Sequence, residues 1–301
     1  MPAPCLRLAL VLALLAPTAG AAPLSAIGVE NQYADVIAQI GGAYVQVRAI
    51  ESDPNTDPHS FEASPKIAAA IAGADLVVEN GLGYDDWADK MLAASPNPAR
   101  QVINVQLLLG LPDATPNPHL WYNPAIMPPL ANAIAASLTT LDPAHAAEYQ
   151  ANARAFIAKL APLDQAVAAF RATYPGTPVA VTEPVGDYLL QDAGAEILTP
   201  FSLQAAIMNG TDPAPQDVSL QDALFTGHKV KILVYNQQVT DPLTQSFLTL
   251  AAQNHIPVVG VYETMPAPGY DYQSWMLAET KALREALTLG QSTQSLLEGA
   301  K

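Results

Sequence analysis

Val179-Ala180-Val181-Thr182-Glu183-Pro184 places a strand, one carboxylate and a helix start in six residues. A β-branched apolar run reads as a strand, and a proline behind it suits the first turn of a helix, where no N–H is needed. Outward from this point the same grammar repeats. Leu24 to Val29, Tyr44 to Ile50, Ala74 to Val78 and Gln101 to Val105 read as strands before it, and Ile197 to Thr199, Lys231 to Tyr235 and Pro257 to Tyr262 as strands after it. Helix starts are marked by Asn31, Ser64-Pro65 and Asn123-Pro124 in the first half, and follow from Pro184, Asp241 and Tyr270 in the second. The helix capped by Asn31 closes at Gly41-Gly42. This alternation predicts an α/β chain, with two lobes of parallel sheet flanked by helices.

Between the halves lies one long helical pattern, from Asp142-Pro143 to Arg171. Tyr149, Phe156, Leu160, Leu163, Val167 and Phe170 recur along it as a single apolar stripe. Uninterrupted, it would be about 40 Å long, enough to run along both lobes. Tyr174-Pro175-Gly176 ends it. The plain reading is a core helix, of which a helix joining two lobes is a special case. The expected division is a leader at 1–21, a first lobe at 22–141, the linking helix at 142–173 and a second lobe at 174–301.

Half of the 301 residues are apolar, enough for a sizeable core. The balance of 13 basic against 28 acidic side chains argues against nucleic acid or an anionic membrane surface as a partner. Arg7, the apolar run Leu8 to Ala16, the breaker Pro17 and the small residues Ala19-Gly20-Ala21 read as a secretory signal peptide cut near Ala21. Cys5, the one cysteine, precedes the apolar run, so it would leave with the leader and is misplaced for a lipid anchor. No later segment is long and apolar enough to span a bilayer. The expected product is a soluble periplasmic monomer without disulfides, and any metal site must be built from His, Asp and Glu.

Ligands of open parallel sheets collect beyond the carboxyl ends of the strands. His59, in Asp57-Pro58-His59-Ser60-Phe61-Glu62, follows the second strand by one loop. His119, in Asn117-Pro118-His119-Leu120-Trp121-Tyr122, lies in the loop after the fourth. Glu183 and Glu263 each come directly behind a strand. Two imidazoles and two carboxylates, drawn equally from the halves, could close on one ion. Each also has a plainer reading. A Glu at a helix start favours the dipole, Glu263 could be a solvated loop acid, and Asp-Pro-His is a turn motif with an incidental imidazole. His145, His228 and His255 read as surface residues. The sequence lacks a His-x-x-x-His helix, a Gly-x-Ser-x-Gly elbow and a phosphate loop.

Asp57 through Pro65, then Asn80-Gly81-Leu82-Gly83-Tyr84, then Pro118-His119-Leu120-Trp121 with Asn123-Pro124, all ahead of the long helix, make a specific series. In it the chain resembles the substrate-binding proteins of zinc and manganese ABC importers, over nearly all of its mature length. The resemblance implies two lobes that hinge little about a backbone helix, with a metal ion buried between them. It implies a receptor rather than an enzyme, one that hands its ion to a membrane permease. By position, His59 and His119 would be first-lobe ligands, and Glu183 falls where other members use His or Glu. The usual fourth ligand is an Asp in the loop after the last strand. Met265 falls nearest to it, so Glu263 is the expected substitute and Asp271 the reserve. Asn117 and Asn123 stand where the second loop often has Asp. They could hydrogen-bond and orient His119 from behind, and Asn80 is placed with them as a supporting group. The His- and acid-rich loop of many zinc-specific members is missing.

Two imidazoles with two carboxylates suit Zn²⁺, while the oxygen share leans toward Mn²⁺. Intrinsic affinity favours zinc at such a site, so zinc is the expected ion, with manganese a close second. Two other readings compete. A secreted zinc metallohydrolase needs a general base and an open cleft. A receptor for a small organic ligand needs aromatic walls, for which Tyr84, Trp87, Trp121 and Trp275 are available.

Overall fold

The computed structural model describes residues 22–266 and 268–296. The leader expected at 1–21, with Cys5, lies outside them. β1 (Leu24–Glu30), β2 (Val45–Glu51), β3 (Leu76–Glu79) and β4 (Gln101–Asn104) form a parallel sheet in the order β2-β1-β3-β4. β5 (Pro178–Val181), β6 (Glu196–Ile197), β7 (Ile232–Asn236) and β8 (Val258–Val261) form a second parallel sheet, in the order β6-β5-β7-β8. The two lobes thus repeat one topology, and in each the strand order reverses beside the first strand. That reversal opens a crevice at the carboxyl ends, where ligands bind in such sheets.

The first lobe carries α1 (Asn31–Gly41), α2 (Pro65–Ala72), α3 (Asp86–Ala94), α4 (Val105–Leu109) and α5 (Met127–Leu141). After α6 (Ala146–Ala158) and α7 (Ala161–Thr173), the second carries α8 (Asp187–Asp192), α9 (Phe201–Met208), α10 (Pro215–Thr226), α11 (Pro242–Gln253) and α12 (Tyr272–Leu289). Helices on both faces leave β3 and β7 wholly buried, which is why these strands read as continuous apolar runs. One apolar cluster runs through both lobes, taking in Tyr33 of α1, Phe156 of α6, Phe170 of α7 and Trp275 of α12. Close-packed side chains shared in this way resist separation of the lobes. Among the described residues no helix is long and apolar enough to cross a membrane.

The long helix differs from expectation. A 3-10 turn at Pro143–His145 leads into α6, and the chain breaks step at Lys159 and Leu160 before α7. Pro162 has no N–H to offer the carbonyl of Ala158, four residues back, so the run bends there. α6 packs on α1 and α5 while α7 packs on α12, so the bent pair still spans both lobes. Two starts also differ. Asn31 does not cap α1, whose N-cap is Glu30, because its side chain is engaged in the other lobe. After Pro184 a turn intervenes, and α8 begins only at Asp187. Ser64 and Asp241 do cap α2 and α11, accepting from Ile67 N and Thr244 N.

Candidate metal centre

Local turns aim the two imidazoles. Asp57 Oδ1 accepts from His59 N at 2.8 Å and opens the 3-10 turn Pro58–Ser60, which stands His59 at the rim of the cleft. Asn80 Nδ2 donates to Pro118 O at 2.8 Å, and Asn80 Oδ1 takes the Tyr33 hydroxyl at 2.7 Å, so the residue before His119 is pinned to the core. The turn after Asn80 requires glycine: Gly81 has φ +81°, and a Cβ there would come within 2.7 Å of Asn104 Oδ1.

Three ligand-type groups converge. His59 Nε2 and His119 Nε2 each lie 3.1 Å from Glu263 Oε2. One ligand atom from each of the three residues falls within 4.8 Å of the others. Tyr84 Oη donates to the same carboxylate oxygen at 3.0 Å. The side chains of His119 and Glu263 are fully buried, whereas 22 % of the His59 side chain is exposed, so the cluster reaches solvent on the His59 side.

Glu183 stands beside this trio, outside its tight grouping. Asn236, the last residue of β7, donates through one Nδ2 to Glu263 Oε1 at 2.8 Å and to Glu183 Oε2 at 3.2 Å. Glu183 Oε1 is buried with no hydrogen-bond partner. The reserve candidate Asp271 stands outside the trio. Its carboxylate caps α12 by accepting from Ser274 N at 2.8 Å, in a reciprocal box with Ser274, and it is half-buried. Asn123 is engaged locally. Its Oδ1 accepts from Ala125 N at 3.1 Å, in the turn it opens, and does not orient His119.

Asn117 does reach His119. Its Nδ2 donates to Pro184 O at 2.7 Å, which turns its Oδ1 toward His119 Nδ1 at 2.8 Å. That oxygen also accepts from His119 N at 3.0 Å. An acceptor facing Nδ1 keeps the proton on that nitrogen, so the neutral ring presents a bare Nε2 to Glu263.

The electrostatics follow from burial and proximity. Burial pushes the Glu263 carboxyl up, but the hydrogen bonds and charges of His119 and His59 more than reverse this and hold it well below the usual carboxylate range. Burial lowers the His59 pKa, yet the bond to Glu263 and its charge outweigh burial and leave it raised. For His119 burial prevails, and the pKa is lowered. Burial, then the charge of Glu263, raise Glu183 well above the ordinary value. These directions describe one contact: His119 Nε2 and Glu263 Oε2, 3.1 Å apart, need a proton or a cation between them, and with neither their lone pairs oppose each other.

Sequence reading missed Tyr84 and Asn236 as partners of the carboxylates. Asn236 ends a strand, the same position that singled out Glu183 and Glu263, but that rule was applied only to ionisable groups. Tyr84 reads from sequence as part of the Asn80–Tyr84 motif and as an aromatic wall, neither of which shows its hydroxyl on Glu263. His145 is not a plain surface residue either. It bonds Asp142 Oδ2 at 2.6 Å and stacks on Tyr44 with ring centroids 3.6 Å apart. His228 and His255 are exposed.

The chain matches residues 30–286 to the family described as ZnuA, zinc-uptake complex component A periplasmic. It is 27 % identical over 135 residues to the iron-binding protein YfeA of Yersinia pestis, covering 43 % of each chain. It is 26 % identical over 148 residues to the manganese-binding lipoprotein MntA of Bacillus subtilis, covering 47 % of this chain and 48 % of that one. The chain thus spans about half the length of the curated relatives it matches first. A crystal structure of ZnuA superposes with a TM-score of 0.70 at 24 % identity, over 88 % of this chain and 100 % of that one. A manganese-bound periplasmic metal-binding protein from Candidatus Liberibacter asiaticus superposes with a TM-score of 0.70 at 21 % identity, over 88 % and 99 %. These likenesses show the fold: two four-stranded parallel sheets, their helices and a long bent helix. With the family matched over most of its length, the chain belongs to the ZnuA family of periplasmic zinc-uptake components.

Proposed function

We propose that this protein is a periplasmic receptor that captures one divalent transition-metal ion between its lobes and delivers it to an ABC import permease. The observation that carries this reading is the approach of two imidazole Nε2 atoms to one buried carboxylate oxygen, each at 3.1 Å. Ligands at about 2.1 Å from a tetrahedral zinc stand about 3.4 Å from one another, so both imidazole–carboxylate spacings are close to what such an ion requires.

His59, His119 and Glu263 supply the first three ligands. Glu183 is the fourth, its free oxygen already buried beside the cluster. Asn117 and Asn80 hold His119 and its loop, and Tyr84 and Asn236 hold the Glu263 carboxylate. Two imidazole nitrogens make zinc the tighter ion, and the two carboxylates keep manganese as the alternative. The relatives support a metal cargo without choosing among metals: the names of YfeA and MntA specify iron and manganese. We read the chain as a monomeric receptor and not an enzyme, since fully buried His119 and Glu263 leave little room for a substrate at the ion. The signal peptide ending near Ala21 fits export.

The test is to strip the mature protein with chelator, dialyse it against equal Zn²⁺ and Mn²⁺, and count bound metal. One ion per chain, mostly zinc, supports the reading. A chain that retains neither ion refutes it.

A further inference from the structure

Gln238 lies two residues past β7, and its side chain joins both lobes. Its Oε1 accepts from the backbone N–H of Glu263 at 2.6 Å and of Thr264 at 2.8 Å. Its Nε2 donates to Thr56 O at 2.6 Å, in the first-lobe loop that carries His59, and to Thr264 Oγ1 at 3.2 Å. The Gln238 N–H in turn donates to the Oδ1 of Asn236, the residue that bonds both Glu263 and Glu183. Gln238 itself is only 7 % exposed.

A carboxamide has one acceptor end and one donor end, and here the ends face opposite loops. The oxygen fixes the main chain at Glu263, which supplies the shared carboxylate. The nitrogen fixes the main chain three residues before His59. Apart from the His59–Glu263 contact itself, the His59 loop is tied locally, through Asp57 and Asp53, and those bonds do not reach the second lobe. We propose that Gln238 is the positioning residue that couples the two halves of the site, holding the His59 loop in register with Glu263 so that a bound ion is kept from escaping on the His59 side. The inference rests on the metal-receptor reading and adds to it the residue that governs release. With the loop released, His59 no longer stays over Glu263, and the ion can leave by the partly exposed side. Capture is affected less, because the open loop still presents its imidazole to an arriving ion.

Removing a buried carboxamide that satisfies several main-chain groups leaves those groups unpaired, a loss large enough for a change in release rate on the order of ten-fold or more. The variants are Gln238→Met, which keeps the length and removes both polar ends, and Gln238→Glu, which keeps an acceptor oxygen for Glu263 N and Thr264 N but loses the donor to Thr56 O. Full-length mature proteins are loaded with Zn²⁺, and release into excess chelator is followed by stopped flow. Hydrogen exchange is read in parallel on metal-free protein over residues 53–59 and 263–264. Gln238→Met is expected to release zinc at least ten-fold faster with its association rate little changed, and to lose protection in both segments. Gln238→Glu is expected to lose protection at 53–59 while keeping it at 263–264, and also to release faster. Release at the wild-type rate in a folded variant that has lost protection at 53–59 overturns the coupling role and leaves the receptor reading standing. A wild-type protein that binds no Zn²⁺ or Mn²⁺ overturns both.

Discussion

Asn31 and Met265 exchange two hydrogen bonds across the lobes: Asn31 Nδ2 donates to Met265 O at 2.8 Å, and Met265 N donates to Asn31 Oδ1 at 2.9 Å. The first residue of α1 therefore clamps the loop after β8. The Met265 side chain is packed in the core and does not join the trio. Its backbone is held by the first lobe, and Glu263, two residues earlier, is the side chain that meets the histidines.

Replacing Asn31 by Ala leaves the N–H and C=O of Met265 unpaired in a buried setting. A loss of about 2 kcal/mol in stability is expected, read as a lower urea midpoint with an unchanged slope. A midpoint equal to wild type would show that the clamp contributes nothing.

His59→Ala removes a ligand from a loop outside the core. Zinc affinity is expected to fall at least a hundred-fold, while metal-free stability changes by no more than about 1 kcal/mol. Calorimetric titration and chemical melts of the same sample check both halves of this prediction.

Asn117→Leu removes the acceptor that keeps the His119 proton on Nδ1, without touching a ligand. A drop of roughly 10- to 100-fold in metal affinity is expected, as for other supporting partners of metal-bound histidines. Unchanged affinity would mean that ring orientation is fixed by packing on Tyr84 and Trp121 alone.

Glu279 in α12 gives a pH signature away from the site. Burial raises its pKa from 4.5 to about 8, against the lowering effect of its bonds to Trp275 and Tyr122. The folded state therefore keeps a proton that the unfolded state has already lost between about pH 4.5 and about 8. Stability from this group is fully present below the unfolded value and falls as pH rises through that window, with a slope approaching ~1.4 kcal/mol per pH unit. Above the folded value the slope vanishes. Glu279→Gln is expected to remove this component, so the wild-type-minus-variant stability difference should decline across the window. A flat difference would contradict it.

The alternation of strands and helices was legible because parallel strands buried on both faces must be apolar, and caps such as Ser64 and Asp241 are local chemistry. The bend at Pro162 is equally local, but the apolar stripe runs through it from Phe156 to Leu163 and hides it. Asn31 shows the opposite limit. It has the residue type of a helix cap, but a partner 234 residues away claims its side chain. In the site, His59, His119 and Glu263 were found by chemistry and position, and the structure brings them together. Tyr84, Asn236 and Gln238 were not found, because a neutral hydroxyl or amide shows its role only through the atoms it meets. Asp271 had the right charge and lay on the right loop, yet the sequence Asp271-Tyr272-Gln273-Ser274 already carried the pattern of a cap.

The most direct test of the central claim is an anomalous difference map from a crystal of the chelator-stripped mature protein exposed to stoichiometric Zn²⁺. One strong peak is expected between the lobes, about 2.0–2.2 Å from His59 Nε2, His119 Nε2 and a Glu263 oxygen. A map with no peak there, or with its peak on surface carboxylates alone, would contradict it.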